Sequence, residues 1–315
     1  MKSVKFLNEL PAKEQKDFFE SFDTIFFDLD GVIWHSYVPI PGAVDCLNNL
    51  KKLGKNVHFV TNNSTKTCQN ILEILKTAGI NADLPDIVNP LKTMIFLLKK
   101  SNVTDPLYAM APKASKNELL ENGYKILPET PHVDMDQIPE ILLHHDQAKE
   151  QTIGAVLLDL DLNLDYMKVQ KAFWYLKYNP NSLFLVNSMD KTAPVGPKGP
   201  IFATYYFVEC LREMLRVDNV NRGDFIQIGK PSQVMVDYIK ETFNISQSNR
   251  VMFVGDSIES DMATAAKGDF QKLLVLSGTE KRESLDNWGY PDNYKPDFVA
   301  EDLGVLNDIL KSLYD

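Results

Sequence analysis

Three short apolar runs constrain this chain most: DTIFFDLDG (residues 23–31), NVHFVTNNS (56–64) and RVMFVGD (250–256). Each is rich in β-favouring side chains and breaks off abruptly into acids or small polar residues, which is how a strand buried on both faces of a parallel sheet reads. Stretches with helical spacing lie between them: AVDCLNNLKKLG (43–54) stopped at Gly54, TCQNILEILKTAGI (67–80) stopped at Gly79, and VMVDYIKETFN (234–244). Strand and helix in alternation predict an α/β fold with a doubly wound parallel sheet. Ligands of such sheets bind beyond the carboxyl ends of the strands, so the polar residues that close these runs mark the candidate site.

A second α/β pattern interrupts the first. After a predicted helix at PLKTMIFLLKKS (90–101) come LYAM (107–110), ASKNELLENG (114–123), IPEILLHHD (138–146), TIGAVLLDLD (152–161), MKVQKAFWYLKYN (167–179) and SLFLVNS (182–188). The first pattern resumes at DFIQIGKPS (224–232) and continues through MATAAKG and KLLVLSG. The expected organisation is a catalytic core of residues 1–102 and 223–315, with an inserted α/β domain at 103–222. A chain of 315 residues is long enough for two such lobes.

Composition narrows the function classes. A net charge of −10 argues against nucleic-acid binding, which needs clustered lysine and arginine. A small phosphate then requires a local cation, either a metal or a lysine. Cys46, Cys68 and Cys210 lack the spacing of a zinc site or a disulfide framework and read as free thiols. No apolar stretch suits a signal peptide or a membrane span, so a cytosolic protein without membrane association is expected. The Asn-x-Ser/Thr sequons at Asn62, Asn63, Asn102 and Asn244 are then coincidental.

Asp28 and Asp30 stand two residues apart at the end of a buried run, where like charges repel unless something positive lies between them. Magnesium suits the position, because it prefers oxygen ligands and commonly bridges carboxylates to a substrate phosphate. Asp28, the backbone carbonyl of Asp30 and Asp256 would supply three protein oxygens. Asp28 could then attack phosphorus as a nucleophile, with Asp30 as proton donor and acceptor. The Thr61 hydroxyl with the amides of Asn62 and Asn63 would hold phosphoryl oxygens, and Lys230 would neutralise charge in the transition state.

In order along the chain, DLDGVIW (28–34), TNNS (61–64), GKPS (229–232) and GDSIESD (255–261) resemble the four motifs of the haloacid dehalogenase superfamily. More narrowly, the chain resembles the group of 4-nitrophenylphosphatase, phosphoglycolate phosphatase and pyridoxal phosphatase. That resemblance implies a nucleophilic Asp28, acid/base Asp30, and phosphate contacts from Thr61, Asn62, Asn63 and Lys230. It further implies Mg2+ held by Asp28, Asp30 and Asp256, and an Asp261 that orients Lys230 or a metal-bound water. The interval between the first two motifs leaves room for one helix and one strand only. The cap must then lie after the second motif, and the resemblance implies that it is the family's larger α/β cap, which selects the small phosphorylated metabolite and often mediates a homodimer.

The inserted domain also departs from the family. Relatives often carry Thr-Asn-x-Asp, a Trp-His-Pro-like segment and a Pro-Gly-x-Gly turn, where this chain has NSMDKTAP (187–194) and GPKGPIFA (196–203). Asp190 and Pro194 match, and Ala193 takes the histidine position. The departure motivates an alternative reading, a protein phosphatase or regulatory scaffold that binds a protein partner through this domain. A receiver-like module that accepts phosphate on an aspartate would need neither Asp30 nor the insertion.

Other features have plainer readings. Thr61 also suits the cap of the following helix, and Asp261 suits a helix start. His144, His145 and Asp146 are adjacent on what reads as an irregular segment, where side chains rarely converge on a metal. The aromatic stripes FWYLKY (173–178) and IFATYYFVECL (201–211) read first as core of the inserted domain or as a subunit interface.

Overall fold

The computed structural model describes residues 4–129, 138–194 and 199–314. The chain forms two compact units. One is built from the residues up to Thr61, from Cys68–Asn89 and from Lys230 onward; the other comprises Asn62–Thr67 and Pro90–Gly229.

The first unit is organised on a seven-stranded sheet, in the spatial order Lys5–Phe6, Phe298–Ala300, Gln271–Val275, Val251–Gly255, Thr24–Phe27, Asn56–Val60 and Ile87–Val88. Every neighbouring pair is parallel. The central strands are buried on both faces, which is why they read as unbroken apolar runs. Phe26, Phe27 and Phe253 are fully withdrawn from water, and burying a side chain of that size contributes roughly 1.5–3 kcal/mol.

Helices supply the covering faces. Ala43–Lys52 buries Ala43, Cys46, Leu47 and Leu50, one stripe at the i, i+3, i+4, i+7 spacing, and carries Lys51 and Lys52 in its last turn, where cations favour the helix dipole. Leu303, Leu306 and Leu310 of the Leu303–Tyr314 helix join the same core.

The second unit has its own parallel sheet of four strands, ordered Ile226–Gln227, Leu183–Val186, Ala155–Leu158 and Leu107–Met110. Tyr175, Leu176, Val208 and Leu211 cover one face. The helix Pro90–Lys100 belongs here and not to the first sheet, because Leu91, Met94, Ile95 and Leu98 pack with Leu107, Ala109, Leu157 and Leu185. The units thus divide at Pro90 and Gly229, whereas the sequence suggested 102 and 223. Helical spacing shows that a helix has an apolar face without showing which sheet receives it.

His144, His145 and Asp146 correct a reading from sequence, since they lie within a regular helix, Ile138–Glu150, that carries Pro139 as its second residue. His145 is engaged by Asp146 at 3.0 Å and by the Tyr178 hydroxyl at 2.7 Å. The stripe at 173–178 is mainly core of this unit, while Phe202 and Tyr206 of the second stripe stand exposed. Gly196, Pro197 and Lys198 of the altered segment lie outside the described residues. Among the described residues, no helix is long and apolar enough to cross a membrane.

Candidate active site

Asp28, Thr61 and Asp256 are each the first residue beyond one of three adjacent parallel strands, Thr24–Phe27, Asn56–Val60 and Val251–Gly255. The ladder continues one step past the strands: Asp28 N donates to Val254 O at 2.9 Å, and Thr61 N donates to Val88 O at 3.0 Å. All three side chains are buried, as are those of Lys230 and Asp261. Parallel register therefore fixes where these groups begin, independently of any side-chain bond.

Lys230 ties the acids together. Its Nζ donates to Asp28 Oδ1 at 2.6 Å, to Asp261 Oδ1 at 2.7 Å and to Val60 O at 3.4 Å. Asp261 Oδ2 accepts the amides of Asp256 and Ser257, both at 3.1 Å. With both oxygens committed, Asp261 is arranged to hold Lys230 and the Asp256 backbone. The sequence segment that carries it forms a single π-helical turn, Ile258–Met262, that runs into the Ala263–Gly268 helix.

Asp30 is held differently. Trp34 Nε1 donates to Asp30 Oδ1 at 3.0 Å across the turn that Gly31 makes at φ 83°. Only glycine enters that backbone region without strain, and a Cβ there would also collide with the Asp256 carboxylate. Asp256 Oδ2 accepts the Thr279 amide at 2.6 Å. Sequence reasoning missed the parts played by Trp34 and Thr279; the signal available for the latter was the Ser277–Gly278 pair that ends the KLLVL run.

Electrostatics follow from burial. Asp28 is pushed well above the ordinary carboxylate range by loss of water; Lys230 pulls it down, and Asp261 and Asp256 push it further up. Burial raises Asp30 as well, against the opposing bond from Trp34. For Lys230, burial disfavours the ammonium, but Asp261 and Asp28 more than reverse this, so the lysine stays charged.

Asp28, Asp256 and Asp261 offer carboxylate oxygens that all lie within 4.8 Å of one another. With all three ionised, these buried carboxylates would leave two negative charges unbalanced against one buried ammonium, which one divalent ion would match. The donor set is all oxygen, as a hard cation requires. Because Asp261 is committed to Lys230 and two amides, Asp28 and Asp256 are the carboxylates that could receive such an ion.

Asn62 and Asn63 follow Thr61 directly and belong to the second unit. Asn63 Oδ1 accepts both the amide and the hydroxyl of Thr65, at 3.0 and 2.6 Å, which fixes its side chain in a local turn. Its side-chain amide is therefore oriented by its own loop.

Comparison with known proteins agrees with this geometry. The family described as haloacid dehalogenase-like hydrolase matches residues 25–125, and a second HAD-hydrolase-like family matches residues 227–306. The 4-nitrophenylphosphatase of Schizosaccharomyces pombe is 29% identical over 304 residues, covering 93% of this chain and 96% of that protein. Phosphoglycolate phosphatase 2 of Arabidopsis thaliana is 27% identical over 307 residues, covering 96% and 97%. Among solved structures, a p-nitrophenyl phosphatase from Archaeoglobus fulgidus has the same fold, with a TM-score of 0.75 at 23% identity over 91% of this chain and 99% of that one. The chain belongs to the haloacid dehalogenase-like hydrolases, in the group that holds 4-nitrophenylphosphatase and phosphoglycolate phosphatase.

Proposed function

We propose that this chain, a phosphoric-monoester hydrolase by family, hydrolyses a small phosphorylated metabolite with Mg2+, through an aspartyl-phosphate on Asp28. The observation that carries the reading is the buried Asp28–Lys230–Asp261 chain of bonds beside Asp256 at the ends of adjacent parallel strands.

Asp28 attacks phosphorus, forming a bond from its carboxylate oxygen as the bond to the leaving oxygen breaks. Asp30, whose carboxyl burial keeps protonated to higher pH than usual, gives its proton to the leaving oxygen. It then takes a proton from the water that attacks phosphorus and frees Asp28. Thr61 and the amides of Asn62 and Asn63 hold phosphoryl oxygens, and Lys230 meets the charge that gathers on them. Asp28, the Asp30 carbonyl and Asp256 would hold Mg2+, which would supply positive charge beside the phosphoryl group. Asp261 orients Lys230.

Substrate selection falls to the second unit, and 4-nitrophenyl phosphate, phosphoglycolate and pyridoxal phosphate are the first compounds to assay. That unit also joins two copies in this reading, with the exposed Phe202 and Tyr206 as the apolar surface; a monomer in sedimentation velocity would remove that part. Purified protein should release phosphate from 4-nitrophenyl phosphate with magnesium and stop with EDTA, and Asp28→Asn should be inert. Wild-type turnover by Asp28→Asn would overturn the mechanism.

A further inference from the structure

Asp159 is the first residue past the Ala155–Leu158 strand of the second unit and is only 4% exposed. Its four hydrogen-bond partners are neutral donors. Oδ1 accepts from Ser64 Oγ, Asn187 Nδ2 and Leu160 N, each at 2.7 Å, and Oδ2 accepts from Ser115 Oγ at 2.8 Å. A buried ionised group is costly to keep, and an apolar residue would pack there at less expense. An aspartate at this position therefore points to a task beyond filling space.

The partners locate that task. The chain passes between its two units along the short segment Asn62–Thr67, again at Asn89–Pro90, and finally at Gly229; the first of these passages and the last close on this one cluster. Ser64 is bonded to Asp159 and, at 3.0 Å, to Asn187 Nδ2, which also reaches Asn62 O at 3.4 Å. Gly229 N donates to Asn187 O at 2.7 Å. A Cβ on Gly229 would lie 2.6 Å from Asn187 O and 2.7 Å from Asn62 Oδ1, so only glycine permits this approach. Thr61 immediately precedes the first passage and Lys230 immediately follows the last.

We propose that Asp159 is a positioning residue for the phosphatase reaction: with Asn187 it clasps two of the chain's passages between units, at Ser64 and Gly229, and so fixes Thr61 and Lys230 for catalysis. The inference rests on the function proposed above. A bond away from each passage stands a group whose misplacement by about 1 Å can cost on the order of a hundredfold in rate.

The test compares Ser64→Ala, Asp159→Ala, their combination and Asp159→Asn, with 4-nitrophenyl phosphate and magnesium. Both alanine variants should lose about 10- to 100-fold in kcat while KM changes little. The double variant should lose less than the two singles combined, because both remove the Ser64–Asp159 bond. Asp159→Asn should restore most of kcat, since its amide oxygen keeps three donors and Ser115 Oγ can turn to accept from its amide nitrogen.

A second measurement does not depend on turnover. Trypsin should release a fragment ending at Lys66, inside the first passage, faster from both alanine variants than from wild type. Folded alanine variants with wild-type kcat and wild-type cleavage at Lys66, or losses that add in the double variant, would overturn the clasp. Should Asp159→Ala fail to fold, Ser64→Ala alone decides by the same two readouts. Should wild type hydrolyse no phosphomonoester, the function reading fails by itself and the clasp is judged on cleavage at Lys66.

Discussion

Lys230 Nζ stands 2.6 Å from Asp28 Oδ1 with only 3% of its side chain exposed, so the proposed nucleophile and its countercharge form one buried unit before any substrate arrives. Removing the cation strands Asp28 and Asp261 together without compensation, and breaking a buried pair in this way costs about 3–5 kcal/mol. Lys230→Met should therefore lose stability of that order in urea denaturation. It should also lose about 100- to 1000-fold in kcat, as expected when one donor to a developing oxyanion is removed.

The unbalanced charge around Asp256 predicts that magnesium binds the folded state and stabilises it. At a hundredfold excess over its dissociation constant the gain is about 2.7 kcal/mol, visible as a rise in the thermal midpoint. Asp256→Asn should abolish the rise. Gly278→Ala should weaken it as well, because the added methyl would run into the Asp256 carboxylate. A magnesium-independent midpoint in wild type would contradict the assignment of this site.

Asp30 is assigned two proton transfers, and they separate in the variant Asp30→Asn. Nitrophenolate leaves without a proton, whereas release of Asp28 by water needs a base. The variant should give one rapid equivalent of nitrophenol per enzyme, followed by turnover reduced by about 100- to 10,000-fold. For an alkyl phosphate the first step needs the acid, so no burst should occur. Because burial raises the Asp30 carboxyl, wild-type kcat/KM on the alkyl ester should fall as pH rises through that raised value. Asp30→Asn should lack this descending limb.

Asp159 also carries a carboxyl raised by burial, which outweighs its four donors. The folded state then binds the proton more tightly than the unfolded chain. Stability from this group is greatest below the unfolded carboxylate pKa and is lost as pH rises through the folded value. In urea denaturation across that window, wild type should lose stability with rising pH relative to Asp159→Asn, which has no proton to release. Parallel curves would show that the group titrates alike in both states.

The site was legible from sequence where one strand supplied a whole statement: an apolar run, then Asp28, Thr61 or Asp256. Strands buried on both faces leave no alternation to confuse their ends. What stayed hidden depended on distant partners. Asp159 reads as the polar end of TIGAVLLDLD, and nothing in its neighbourhood announces Ser64, Ser115 and Asn187, which are 95, 44 and 28 residues away. The helix holding His144 and His145 is hard to see in the sequence, since Leu142 and Leu143, which stand exposed, blur its apolar stripe. The Pro90–Lys100 helix was recognised as a helix, but the sheet it covers is decided by packing.

The strand Thr24–Phe27 takes its two neighbours from very different distances along the chain: Asn56–Val60 is made soon after it, and Val251–Gly255 only after the second unit has been made. Asp28 and its lysine are 202 residues apart, an interval that a ribosome translating about 5–20 residues per second fills in roughly 10–40 s. Throughout that time the nascent chain carries an oily strand with one open edge, a template for unwanted pairing. Shelter during synthesis, by a chaperone or by the ribosome surface, is thus a demand written into the order of the strands.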